Sequence, residues 1–131
     1  MSDELREAVR QWVAKAESDW ATVQILTDHS NAPADSVCFH CQQYVEKLLK
    51  ALLTYYGIEA PRTHDLKRLA QLAVPRLDEL ATFGDDIDKL TAHAVQSRYP
   101  DQWRPIDQTE VAAMVELATR VGDTIRTHLR L

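Results

Sequence analysis

The sequence predicts an all-α fold: an up-and-down helical bundle of about five helices, three long and two short. Three observations predict it. Apolar residues recur at three- and four-residue steps through most of the chain, the spacing of a single helical stripe. No segment alternates apolar and polar residues with the period of a strand. Only three Gly and five Pro occur in 131 residues, which leaves few turns for a sheet and favours long helices. A chain of this length forms one domain, so residues 1–131 are read as a single unit.

The first helix is expected over residues 4–27, with Leu5, Val9, Trp12, Val13, Ala16, Trp20, Val23 and Leu26 along its stripe. Asn, Pro, Asp and Ser in the following segment, DHSNAPADS, mark a turn. The second helix runs from about Pro33 to Tyr56. Proline suits its first turn and Gly57 its end. Val37, Cys41, Tyr44, Val45, Leu48, Leu52 and Tyr55 form its apolar face, and its length makes it the central helix. Thr63 is the expected cap of a short third helix, His64 to Ala73, which Pro75 ends. A further turn fits Leu77 to Leu80. Gly84 precedes a fourth helix over about 85–97, with Ile87, Leu90, Ala94 and Val95 inward. Asp107 opens D-Q-T-E, which has the spacing of a capping box, and the last helix runs on to about Leu129.

Composition narrows the function classes. The net charge of −5 argues against a broad nucleic-acid footprint, which needs clustered Lys and Arg. No stretch approaches the roughly 20 apolar residues of a membrane helix. The N-terminal MSDELREAVRQW has no apolar signal core, so the expected compartment is the cytoplasm. Cys38 and Cys41 have a C-x-x-C spacing, but a four-ligand zinc site needs a second pair that the chain lacks. Packing is the expected role of both thiols. No Gly-rich phosphate loop, H-E-x-x-H or serine-nucleophile motif is present, and neither a cofactor nor a metal is expected.

Three clusters carry chemistry. His40, Tyr44 and Lys47 fall along one flank of the second helix, with Gln42 on the other flank and Gln43 nearly away from the core. A base, a phenol and an ammonium there either hold a phosphate or nucleotide, or form an ordinary helix boundary with a snorkelling lysine. In Thr63-His64-Asp65-Leu66, His64 is either a base or ligand, or a group that pins a loop carbonyl. At the end of the fourth helix stand His93, Arg98, Tyr99, Pro100, Trp103 and Arg104. Guanidinium groups beside aromatic rings either bind phosphate and stack a base, or anchor a loop.

These residues resemble a known family. The run Cys38-Phe39-His40-Cys41-Gln42-Gln43, continued by Val45-Glu46-Lys47-Leu48-Leu49-Lys50-Ala51-Leu52-Leu53, is similar to the signature helix of the HEPN domain. The name stands for higher eukaryotes and prokaryotes nucleotide-binding, and the likeness is to free-standing bacterial and archaeal members. Trp12 to Trp20, with Ala16 and Asp19, resembles the family's first helix. Thr63-His64-Asp65-Leu66 matches its T-H-D-L, and Arg98-Tyr99-Pro100 its R-Y-P. The resemblance covers nearly the whole chain. It implies a small helical bundle, a homodimer, and a minimal nucleotidyltransferase as partner in a toxin–antitoxin pair. It also implies, for many members, metal-free RNA cleavage by an Arg, four to six intervening residues and then a His.

This chain departs from that last motif. Trp103, Arg104 and Pro105 stand five to seven places beyond Arg98, and the nearest histidine, His93, precedes it. The first expectation is therefore a nucleotide- or RNA-binding module with His40, Tyr44, Lys47, Tyr99 and Arg104 as ligand contacts. In one version its partner transfers a nucleotide to it, and Tyr99 is a candidate acceptor. The alternative is a toxin ribonuclease in which Arg98 works with a relocated base, His93 or His64. The third is a purely structural dimerisation module.

Overall fold

A computed structural model of the chain describes residues 1–94, 100 and 104–131. Five α-helices follow in order among the described residues: α1 Asp3–Thr27, α2 Ala34–Tyr55, α3 Leu66–Ala73, α4 Asp86–Thr91 and α5 Gln108–Leu129. Two 3-10 turns, Asp78–Phe83 and Ala92–Ala94, flank α4. No strand occurs among the described residues. The predicted all-α bundle is what forms.

Helix α2 is the axis of the bundle. It packs on α1, α5, α3 and α4, while α1 and α5 meet each other little. Thirteen of its 22 residues are buried, against four of 25 in α1. A helix covered on most of its circumference must be apolar around most of it. Val37, Cys41, Val45, Leu48, Leu49, Leu52 and Leu53 meet that demand, and each is almost wholly shielded from solvent. Burial of such side chains contributes roughly 1.5–3 kcal/mol apiece.

One close approach sets the spacing of α2 and α5. Tyr44 is 2% exposed, stacks on Trp20 at 4.5 Å, and lies against Gly122 of α5. A Cβ at Gly122 would fall 2.5 Å from the Tyr44 hydroxyl oxygen, so only glycine admits the phenol ring there.

The helix ends follow local chemistry. Ser2 Oγ accepts from the Leu5 N–H and starts α1. At the end of α2, Gly57 takes a left-handed φ of 70°. The Gly57 and Ile58 N–H groups reach back to the Thr54 and Leu53 carbonyls, which closes a Schellman motif. The cap of α3 is Asp65 rather than Thr63. Asp65 Oδ1 accepts from the Arg68 N–H, and Thr63 Oγ1 instead receives the Asp65 N–H. Both residue types cap well, and the loop geometry chose the later one. Pro75 does close α3, although Val74 keeps helical angles. Proline supplies no donor, and the N–H groups of Arg76 and Leu77 both turn back to the Ala73 carbonyl.

Helix α4 is shorter than its pattern suggested: it gives way to a 3-10 turn at Ala92. Val95 lies outside the described residues. Thr91 ties α4 to α3, because its hydroxyl accepts from the Leu66 N–H, a first-turn donor with no partner inside its own helix.

Candidate functional site

Asp19 interrupts the apolar stripe of α1 between Ala16 and Val23, and it is 7% exposed. A carboxylate in that position must be paired. Its two oxygens serve two residues of α2: His40 Nδ1 lies 2.7 Å from Oδ1, and Lys47 Nζ donates to Oδ2. Seven residues, or two turns, separate His40 from Lys47, so one α1 carboxylate spans both. His40 keeps part of its ring exposed and packs edge-on against Phe39.

A second network starts one residue before Lys47. Glu46 is buried on α2 between Gln42 and Lys50, each four residues away on the same face. Its Oε1 meets His64 Nδ1 at 2.7 Å, and Lys50 Nζ donates to Oε2 at 3.2 Å. The Gln42 amide donates to Glu46 Oε1 and to the His64 carbonyl oxygen. The His64 side chain is nevertheless 62% exposed. The T-H-D-L loop is therefore pinned to α2 while the imidazole faces solvent. Lys50 also lies 5.5 Å from the ring centre of Trp12, which ties the network to α1.

The third network joins α5 to both sides of the segment that holds Arg98. Arg104 makes two hydrogen bonds to Glu110, at 2.8 and 2.7 Å, in the paired geometry of guanidinium and carboxylate. His93 Nε2 lies 3.1 Å from Glu110 Oε2. The hydrogen bond from Arg104 holds the Glu110 carboxyl below its ordinary range. His93 is 3% exposed, and burial pushes its imidazole below the usual histidine value against the opposing pull of Glu110. Its Nδ1 has no hydrogen-bond partner among the described residues. Asp107 caps α5 by accepting from the Glu110 N–H, but the Glu110 side chain turns to Arg104 and His93. The capping box that D-Q-T-E suggested is thus made on one side only.

Placement of the predicted residues follows. His40 and Lys47 are brought together through Asp19, and His93 and Arg104 through Glu110. His64 joins neither pair and is held by Glu46 of α2 instead. Tyr44 leaves the group of His40 and Lys47. Its ring is buried, which raises its phenol above the ordinary value, and only its edge reaches a cleft of about 310 Å³ shared with Trp20, Asp123 and Arg126. Arg104 borders a hollow of about 390 Å³ with Asp35 and Ile106. Arg98, Tyr99 and Trp103 lie outside the described residues. Gln42, expected on a flank, is fully buried, and Gln43 donates to its side-chain oxygen.

Sequence reasoning passed over Asp19, Glu46, Lys50 and Glu110 as functional groups. For three of them a signal was present: an acid on the apolar stripe of α1 for Asp19, and a Gln-Glu-Lys ladder at four-residue steps on α2 for Glu46 and Lys50. Among the described residues, no group of three or more His, Cys, Asp and Glu is placed to hold a metal ion. None of their helices is long and apolar enough to cross a membrane.

In comparisons with known proteins, the chain matches the family model of the HEPN domain over residues 9–128. No curated protein and no solved structure matches it. The matched region takes in all three networks, from Asp19 and Glu46 to Glu110. The chain belongs to the HEPN family, and its function is of the nucleotide- and RNA-related kind that this domain carries.

Proposed function

We propose that the protein is the nucleotide- or RNA-binding component of a toxin–antitoxin-type pair, acting with a minimal nucleotidyltransferase and assembling as a homodimer in the cytoplasm. One observation carries the binding role: His64 is exposed yet held from behind by buried Glu46, one residue from Lys47. A fixed polar ring at the surface of a HEPN domain suits recognition, since its ordering cost is already met in the free protein. Exposed Arg62 and Arg68 flank it on either side in the chain. Asp19 and Glu110 offset the charges of Lys47 and Arg104, and the net charge is −5. Both facts favour a local contact, such as a nucleotide or a strand end, over broad phosphate binding. The absence of a histidine five to seven residues beyond Arg98 favours recognition over cleavage.

Two measurements test this reading. Co-expression with a minimal nucleotidyltransferase encoded beside it is expected to give a complex on size-exclusion chromatography. A panel of nucleotides and short RNAs is expected to raise the melting temperature. Ligand at a hundred times its Kd adds about 2.7 kcal/mol of stability, and His64→Ala is expected to remove most of that gain. A protein that forms no complex and gains stability from no nucleotide or RNA would be a structural dimerisation module instead. Sedimentation showing a monomer at micromolar concentration would count against the homodimer.

The structure also favours one form of the ribonuclease alternative. Of the two candidate bases, His93 is buried and faces Glu110, whereas His64 is open to solvent with a carboxylate behind it. A carboxylate-backed imidazole is the usual form of a general base. That reading expects RNA cleavage by the purified protein, lost in both Arg98→Ala and His64→Ala. Undiminished cleavage by Arg98→Ala would end it.

A further inference from the structure

The Glu46 network fixes more than the position of His64. Glu46 Oε1 faces His64 Nδ1 at 2.7 Å, while Gln42 holds the His64 carbonyl oxygen at 3.2 Å. Ring and backbone of one residue are thereby held from the same face of α2. The other carboxylate oxygen takes the Lys50 ammonium, and Gln43 orients the Gln42 amide by donating to its oxygen at 2.7 Å. A carboxylate only accepts hydrogen bonds, so the ring nitrogen that faces it carries the proton. In the neutral ring, Nε2 is then a bare acceptor. The side chain that carries it is 62% exposed, and its other ring nitrogen is the one turned to Glu46.

This polarity selects among the groups of a nucleotide. A phosphate oxygen offers no proton and would need a donor at Nε2. A ribose hydroxyl offers one. The ribose also neighbours the phosphate along a strand, and cations stand close to His64 in the chain. Arg62 lies two residues before it and Arg68 four residues after it, both exposed, while Lys67 is occupied by Asp85. The geometry points to His64 Nε2 as the acceptor for a ribose hydroxyl of a bound ribonucleotide or RNA strand, with Glu46 as the positioning residue that holds the Nδ1–H tautomer. This inference deepens the nucleotide- and RNA-binding reading above and rests on it.

The test has two arms. The first uses no ligand. Nitrogen-15 NMR of the imidazole in the full chain is expected to show the Nδ1–H tautomer for His64, and Glu46→Gln is expected to shift the population toward Nε2–H. Circular dichroism melts establish that both proteins are folded. A parent protein whose His64 carries its proton on Nε2 overturns the positioning role. The second arm compares a labelled RNA oligonucleotide with its 2′-deoxy counterpart by fluorescence anisotropy. The parent is expected to prefer RNA by about five- to tenfold, the worth of one hydrogen bond. His64→Ala should bring the two affinities together, and His64→Gln, which keeps an acceptor, should restore part of the preference. An RNA preference that survives intact in His64→Ala overturns the ribose assignment. Failure of both strands and of free ribonucleotides to bind sinks the proposed function itself, and the tautomer measurement still decides the role of Glu46.

Discussion

His93 has a consequence that acid should expose. Burial lowers its pKa below the ordinary 6.5, so the folded protein holds the ring neutral where the unfolded chain would protonate it. The unfolded state therefore binds more protons as pH falls through 6.5 toward the folded value, and stability declines over that window. Glu110 acts lower down: its depressed pKa stabilises the fold above the usual carboxylate value of 4.5, and that contribution is lost on further acidification. The melting temperature is thus expected to fall between about pH 7 and pH 5.5. In His93→Gln, which can still donate to Glu110 but does not titrate, the fall should be smaller. Calorimetry across that range checks it, and equal slopes for the two proteins would refute it. At this scale the sequence showed which residues were chemically able, not which were paired. The four-residue steps put Gln42, Glu46 and Lys50 on one face. Nothing in them revealed that the T-H-D-L loop would lay His64 across Glu46, because that contact joins residues 18 apart through a loop with no periodicity.

Among the elements, the packing of α2 on α5 is the most exposed to a single change. Gly122→Ala would place a methyl group 2.5 Å from the Tyr44 hydroxyl oxygen and 2.6 Å from a ring carbon. Either the ring loses its stack on Trp20 or α5 moves away. The expected cost is about 1–3 kcal/mol, the usual range for overpacking a filled core. Chemical denaturation should show a lower midpoint with an unchanged slope. Pairing the change with Tyr44→Leu should make the combined loss smaller than the sum of the two single losses, since the residues touch. Strict additivity would mean that the close approach does not set the helix spacing. Helix positions were legible in the sequence to within a residue or two for α1, α2 and α5, because each has a long stripe and clear end signals. The third helix also fell within two residues and ended at Ala73 as expected, but its cap and the extent of the fourth helix were not legible. The cap of α3 moved from Thr63 to Asp65, and α4 tightened into a 3-10 turn at Ala92, where few residues of periodicity compete with loop constraints.

For the whole molecule, the burial of the C-x-x-C pair makes its thiols reporters of folding. Cys38 and Cys41 are free, fully buried, and pushed up to about 12 by burial, so at neutral pH they are neither thiolates nor accessible. A thiol-specific disulfide reagent is expected to label them only through opening of the bundle. Labelling should rise with denaturant in step with the loss of helical circular dichroism. Rapid labelling of either cysteine in native buffer would show that the α2 environment opens locally, and would revive a reactive role for the pair. The packing role expected of these residues follows from their place on the central helix, which the length and apolar breadth of α2 made legible.

By itself, the sequence determined the all-α class, the long helices, the central place of α2 and the HEPN family. Each of these follows from periodicity, turn residues and local motifs, which are properties of neighbours along the chain. Only the tertiary structure decided that Asp19 serves His40 and Lys47, that Glu46 turns His64 outward, that Glu110 gathers His93 and Arg104, and that Tyr44 belongs to the core. Buried charge must find its partner wherever packing brings one, and four of those partners lie 17 to 28 residues away along the chain.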